Sequence, residues 1–252
     1  MPELPEVEVV KRGLSELIVG QTIHDLKSID SPKSLLGSSS DLKQFAVGAK
    51  ITGVRRRGKL IIIDLSSDYC LVVHLKMTGQ LVYRSNDDKS NFGAGHPTDS
   101  LVGSLPDRST RATIKLENGI LFFNDQRKFG WIRLIHNDLL DRIKLYKTMG
   151  PEPLDGITQK HFNDNLSRRA NSRIKPVILD QQIIAGVGNI YADESLWMSE
   201  IHPSTRVKDI PESSRTLLLE SIIDSMKTSI AHGGSTNRNY VDAKGQKGSY
   251  MK

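Results

Sequence analysis

Hydrophobic positions change their spacing along this chain. Near the amino end Val10, Leu14, Leu17 and Ile18 recur every three or four residues, one face of a helix, and Gly20 is a natural stop. Pro5 suits a first helical position, where its missing N–H would have no partner anyway. Glu6 and Glu8 then fall in the first turn, where the helix dipole favours negative charge. From about residue 22 to 135 the pattern shortens to β-branched and aromatic runs at 59–65, 70–75, 80–83, 112–116 and 120–124. Asn118-Gly119 separates the last two and predicts a hairpin. Residues 84–108 are rich in Gly, Ser, Asp and Pro and read as a long, exposed loop with the composition of a mobile one.

Turn residues dominate 148–157, which reads as a linker, and helical spacing takes over beyond it. Residues 176–203 read as a helix, a Gly-rich double turn and a second helix that stops at Pro203. Residues 211–234 read as one long amphipathic helix with Pro211 near its start and Gly233 at its end. Its buried stripe is Leu219, Ile222, Ile223, Met226 and Ile230. The expected fold is α+β in two domains, a β domain over 1–147 and a helical domain over 158–252.

Composition narrows the function classes. Apolar residues make up 37% of the 252, enough for a core in each domain. Lys and Arg total 35 against 29 Asp and Glu, a net charge of +6 that points to a polyanionic partner, nucleic acid first. No run of eighteen apolar residues suggests a membrane span, and the amino end has no signal-peptide pattern. A single cysteine, Cys70, excludes an internal disulfide and a zinc site built on several cysteines. A reduced, cytoplasmic protein is expected.

The opening "MPELPEVEVV" holds candidate chemistry. Removal of Met1 would leave Pro2 with a free secondary amine, able to attack a carbonyl-like carbon when unprotonated. An α-amino group has a pKa near 8 against about 10.4 for lysine, so roughly a few hundred-fold more of it is free base at neutral pH. Glu3 adjoins that amine and Glu6 lies one helical turn on, supplying carboxylates for proton transfer. Taken alone, the same stretch reads better as a simple helix start.

Five more blocks accompany it: "RRRGK" (55–59), "HLKMTG" (74–79), "NDQRKFGW" (124–131), "MGPEPL" (149–154) and "GVGNIYADE" (186–194). With "PELPEVE", and in this order, the chain resembles the bacterial formamidopyrimidine-DNA glycosylases of the Fpg/Nei group across almost its whole length. The resemblance implies an N-terminal β-sandwich flanked by helices and a C-terminal helix–two-turn–helix domain. It implies a bifunctional glycosylase and abasic-site lyase of base-excision repair. Its substrates would be oxidised purines, 8-oxoguanine and formamidopyrimidines, in duplex DNA. Pro2 would be the nucleophile, forming a Schiff base followed by β,δ-elimination, with Glu3 as general acid and base.

The remaining roles follow from the same resemblance. Met77, Arg127 and Phe129 match the residues that fill the duplex after the damaged nucleotide is flipped out. Lys59 matches a lysine at the phosphate and damaged nucleotide, beside a run of arginines that alone reads as a solvated or phosphate-facing surface. His74, Lys128 and Lys175 match phosphate contacts, with Lys175 just ahead of the first helix of the double turn. Asn189 is expected to cap the second helix, whose free N–H groups would bind a phosphate. Glu194 matches a carboxylate kept near the active site, and the residues after Gly233 match a loop that closes over the everted base.

Two departures stand out. Lys76 replaces the glycine common between His-Leu and Met, and the family's terminal four-cysteine zinc hairpin has no counterpart in the 252 residues. The expectation is therefore no bound metal or other cofactor, a truncated chain in preference to a natural loss, and weakened DNA affinity. The expected partner is double-stranded DNA with oxidised bases or abasic sites, bound by a monomer in the bacterial nucleoid. The alternatives are an endonuclease VIII-like enzyme for oxidised pyrimidines and a non-catalytic protein that holds damaged DNA.

Overall fold

A computed structural model describes residues 1–29, 32–96 and 98–234. The reading of a lesion-closing loop beyond Gly234 lies outside them.

Helix α1 (Leu4–Ile18) starts on Glu3 as N-cap, so Pro5 falls at its second position, one later than the sequence suggested. Glu3 and Glu6 form a capping box, with the Glu6 carboxylate accepting the Glu3 N–H at 2.9 Å. Val7, Val10, Leu14 and Ile18 bury one stripe in the first domain's core. Leu4 turns instead into the core of the second. The helix that opens the chain therefore belongs to both domains.

The strands are β1 (Ile23–Ser28), β2 (Leu35–Leu36), β3 (Ile51–Arg57), β4 (Leu60–Leu65), β5 (Tyr69–His74), β6 (Gly79–Ser85), β7 (Phe92–Gly95), β8 (Thr110–Leu116), β9 (Gly119–Asp125) and β10 (Trp131–His136). One sheet runs β1-β8-β9-β6-β7 and the other β2-β10-β5-β4-β3. Their facing sides share one core, with Leu81, Ile114 and Phe123 from the first sheet and Ile61, Leu71 and Ile132 from the second. The outer face of the second sheet is also covered. There Leu60, Ile62, Cys70 and Val72 pack under Leu140 and Ile143, which explains why β4 and β5 are apolar at consecutive positions.

All five strand runs read from the sequence fall on strands, with only Lys59 and Leu75 lying just outside β4 and β5. Strands β1 and β3 went unread because each sits at a sheet edge with only one side buried, and "ITGVRRR" carries a glycine and three arginines. The β8–β9 hairpin turns over Glu117-Asn118, since Leu116 already pairs with Gly119. Gly119 is required there because a side chain would strike the Arg84 carbonyl and the Tyr83 ring.

Residues 84–108 are not the exposed loop expected. They contain β7, whose Phe92 and Ala94 are buried, and a 3-10 turn that places Leu101 on the outside of the first sheet. The arginine run is corrected as well. Arg56 is 7% exposed and lies between Glu8 and the buried Glu152, while Arg55 pairs with Asp64 at 2.8 Å. Arg56 and Arg57 tie the sandwich to the segment that leads into the helical domain, through Glu152, and Arg55 pairs within its own sheet.

The helices are a three-residue α2 (Ser39–Asp41), α3 (Lys144–Lys147), α4 (Gln159–Ser167), α5 (Ile174–Leu179), α6 (Asn189–Met198) and α7 (Glu212–Ala231). Lys175 lies inside α5, not ahead of it. Residues 148–157 are packed: the Gly150 N–H donates to the Gln181 carbonyl at 2.8 Å, and Pro151 accepts from Ala185 at 2.9 Å. Helix α7 buries Leu219, Ile222 and Met226 as expected, but also Ser221, Ser225 and Ser229. Those small residues let α6 approach closely, with Ser195 and Ser225 hydroxyls 3.3 Å apart. Among the described residues no helix is long and apolar enough to cross a membrane.

Candidate active site

Two connections cross between the sheets at one end of the sandwich. The link from β5 to β6 leaves His74 and arrives at Gly79; the link from β9 to β10 leaves Asp125 and arrives at Trp131. His74 pairs with Trp131, and Gly79 with Asp125, so the two links run side by side although about fifty residues separate them. Their tips carry Met77, 44% exposed, and Phe129, 55% exposed. Arg127 joins them, its Nη1 donating to Met77 Sδ at 3.1 Å and its guanidinium lying 5.0 Å from the Phe129 ring centre. The structure thus gathers the three proposed duplex-filling residues into one exposed projection.

Each tip depends on a left-handed residue, Lys76 at φ 53° and Lys128 at φ 58°. That conformation is costly for anything but glycine. It gives a physical reason for the family glycine that Lys76 replaces. Lys128 is exposed on the same projection.

The amino terminus is seated against the double turn of the helical domain. The Leu4 N–H donates to the Gly186 carbonyl at 3.1 Å. Gly186 has φ +90°, and a side chain there would run into Leu4. A methyl on Gly188 would overlap the Glu3 carboxyl. The glycines of "GVGN" therefore make room for Leu4 and Glu3. Gly188→Ala is expected to destabilise the fold by about 1–3 kcal/mol through overpacking. Chemical denaturation checks this, and an unchanged midpoint would show that Glu3 is free to move aside.

Glu3 is 3% exposed and faces the N-terminus of α6, accepting the Ile190 N–H at 3.0 Å and the Tyr191 N–H at 3.5 Å. The N-cap of α6 is Gly188, and Asn189 is its exposed first residue, so Asn189 does not cap the helix as the sequence suggested. The carboxylate at that helix end comes from the other domain. Burial pushes the Glu3 pKa up to about 7, with Glu6 adding to the rise and Lys59 and the two amides pulling against it.

Lys59 is 8% exposed, and its Nζ donates to the Val187 carbonyl at 2.9 Å. Burial lowers its pKa, while Glu3 and Glu6 oppose that. His74 lies opposite Leu60, is 6% exposed, and accepts the Lys76 N–H on Nδ1 at 3.0 Å. Burial, with Lys76 and Lys59, holds its pKa down to about 3. The imidazole is neutral and must carry its proton on Nε2.

Glu6 lies at the same junction. Besides the Glu3 N–H it accepts the Tyr191 hydroxyl at 2.6 Å, and Tyr191 lies 2.6 Å from the Ser229 hydroxyl on α7. It positions the start of α1 against both C-terminal helices. Lys175 pairs with Asp193 at 2.6 Å, and Glu194 is half-buried on α6. Sequence reasoning passed over Thr78 and Asp125, though both stand inside quoted blocks. It also missed Glu152, the buried partner of Arg56 and Arg57, whose carboxylate accepts the Gly58 N–H at 2.7 Å.

Among the described residues no group of three or more His, Cys, Asp or Glu could hold a metal ion. Cys70 is buried in β5 with its thiol pushed up to about 12 by burial, unsuited to binding one as thiolate. These residues do not fit a zinc site.

Comparison with known proteins agrees with this geometry. The formamidopyrimidine-DNA glycosylase N-terminal domain family matches residues 1–132, and the formamidopyrimidine-DNA glycosylase H2TH domain family matches 149–241. A formamidopyrimidine-DNA glycosylase of Pelotomaculum thermopropionicum is 38% identical over all of this chain and 86% of its own. One from Lactococcus lactis subsp. cremoris is 37% identical over 95% of this chain and 82% of its own. A crystal structure of wild-type Lactococcus lactis Fpg (MutM) with DNA containing N7-benzyl-Fapy-dG superposes with a TM-score of 0.83 at 36% identity. It covers 98% of this chain and 85% of that one. A β-sandwich domain joined to a helix–two-turn–helix domain is the architecture of a class of DNA glycosylases. The chain belongs to the formamidopyrimidine-DNA glycosylase family, and so to the enzymes of base-excision repair.

Proposed function

We propose that this chain removes oxidised purines from duplex DNA and then cuts the strand, using the Pro2 amine as nucleophile. The observation that carries this is the seat of Glu3, the residue next to Pro2, buried on the Ile190 N–H at the domain junction with its pKa pushed up to about 7. Met1 is 52% exposed while Pro2 is buried, an arrangement that leaves Met1 open to removal and Pro2 in place. DNA partners support the reading too: the related Lactococcus lactis structures hold Fapy-dG or abasic-site DNA.

The chemistry balances without a cofactor. The unprotonated Pro2 nitrogen forms a bond to C1′ as the C1′–N9 bond breaks, and the base leaves with that electron pair, accepting a proton. Loss of the amine proton and opening of the sugar ring, with Glu3 delivering a proton to O4′, give the iminium. Removal of a C2′ proton then expels the 3′ phosphate, and a second elimination expels the 5′ phosphate. Lys59, fixed on the Val187 carbonyl, adds positive charge beside the leaving anions. His74 and Lys128, with Lys175 and the Asn189 turn in the second domain, position the duplex by its phosphates.

Met77, Arg127 and Phe129 occupy the gap left by the flipped nucleotide, a step that costs a few kcal/mol in unstacking. Arg127 presents donors to the unpaired base, which favours cytosine. Arg127→Ala is expected to lower the preference for lesions opposite cytosine over adenine about tenfold, the worth of one hydrogen bond to a charged group. Single-turnover excision on the two duplexes measures it; an unchanged ratio removes Arg127 from base reading. The reaction as a whole is tested with an 8-oxoguanine duplex. Base release, phosphates on both sides of a one-nucleotide gap, and a borohydride-trapped complex are expected. A thymine glycol duplex cut faster than the 8-oxoguanine duplex would favour the pyrimidine-specific alternative.

A further inference from the structure

We propose that Thr78 and Asp125 clamp the two crossing links into a single rigid wedge, and that this clamp, more than any exposed contact, sets how accurately the opposite base is read. The inference rests on the duplex-filling role of Met77, Arg127 and Phe129 proposed above.

Asp125 is fully buried, and its carboxylate is used entirely on the links. Its Oδ1 accepts the Thr78 hydroxyl from the first link and the Arg127 N–H of its own link at 3.2 Å. Its Oδ2 accepts the Gly130 N–H at 2.7 Å, closing the second link at its far end. The Asp125 carbonyl accepts Nε of Arg111, itself 3% exposed, at 2.7 Å. Thr78 completes the ring: its hydroxyl donates to Asp125 while its oxygen accepts the Arg127 N–H at 3.2 Å.

The backbone of Arg127 is thus held from both links at once. On the exposed side, by contrast, the links touch through a thioether, a weak acceptor, while the Arg127–Phe129 ring contact stays within the second link. Charge-assisted bonds to a buried carboxylate are about twice as strong as neutral ones, so the inner ring carries the alignment. Left-handed Lys76 and Lys128 at the tips make that alignment necessary, since each would relax toward commoner backbone angles if released. Thr78 and Asp125 do not touch the DNA in this scheme. They are positioning residues that act through Arg127 and Met77.

Thr78→Val keeps the shape of the side chain and removes the hydroxyl; Thr78→Ser restores the hydroxyl. Single-turnover excision of 8-oxoguanine opposite cytosine and opposite adenine is measured for both, with Arg127→Ala as the reference. Strand cutting at a preformed abasic site in single-stranded DNA is the second readout. Thr78→Val is expected to lower the cytosine-to-adenine ratio about tenfold while abasic-site cutting stays within about twofold. Thr78→Ser is expected to recover the ratio. Thr78→Ala carries the same expectation should the valine variant fold poorly. If Arg127→Ala lowers the ratio but Thr78→Val does not, or if serine fails to restore it, the clamp is wrong. If Arg127→Ala also leaves the ratio unchanged, the duplex-filling reading falls and the clamp with it.

Discussion

A residue placed ahead of Pro2, or a retained Met1, is expected to abolish the borohydride-trapped complex with lesion DNA while duplex binding survives. The nitrogen of Pro2 is a nucleophile only as an amine. Inside a peptide bond its lone pair is delocalised into the carbonyl, and it can form neither the bond to C1′ nor an iminium. Binding survives because the proposed phosphate contacts lie elsewhere, on the sandwich and in the helical domain. Met1 is exposed, so an extension meets solvent and not the core. Gel shift with a stable abasic analogue measures binding, and denaturing electrophoresis after borohydride measures the covalent complex. Trapping at the unblocked yield would transfer the nucleophile to another group. Lys59 would be the first candidate, since its amine is buried at the same junction.

Periodicity was most informative where both faces of an element are covered. Strands β4 and β5 are buried on both sides and read as unbroken apolar runs. Edge strands β1 and β3 bury one side only, and their exposed positions diluted the signal. Strand β7, "FGAG", reads as a loop because glycine has low strand propensity. Its glycines answer to neighbours far away in sequence: a side chain on Gly95 would strike the Gly79 carbonyl.

The site divides in the same way. Met77, Arg127 and Phe129 were legible only through their blocks, and their meeting depends on two links crossing between sheets at one end. The role of "GVGN" was half legible. Its glycines mark a tight turn, but the side chain they admit is Glu3, more than 180 residues upstream. Charge misled in one place. "RRRG" looks like a phosphate-facing surface until its buried partner Glu152, about 95 residues away, is seen. No local pattern marks a carboxylate whose partners lie in another domain.

Glu3→Gln separates proton transfer from nucleophilic attack. The amide keeps an oxygen for the Ile190 N–H, which Glu3 meets at 3.0 Å, so the seat at α6 is largely retained. Only the ionisable proton is lost. General acid–base catalysis contributes about 10²–10⁴-fold, and base excision at single turnover is expected to fall by that much. Cutting at a preformed abasic site should fall less, because the amine remains and no base has to leave.

The pH dependence sharpens the test. Glu3 must be protonated to act as acid, and burial holds its pKa at about 7; the amine must be free, with an ordinary pKa near 8. The productive form is therefore a minority, roughly one molecule in twenty at the midpoint if the two ionise independently. The wild-type rate should rise with pH as the amine is freed and fall above about pH 8 as protonated Glu3 is depleted. In Glu3→Gln the alkaline fall should vanish, leaving a residual rate that rises and levels once the amine is free. A variant that keeps the alkaline fall would place that titration elsewhere. Equal losses on lesion and abasic substrates would confine Glu3 to holding Pro2 against α6.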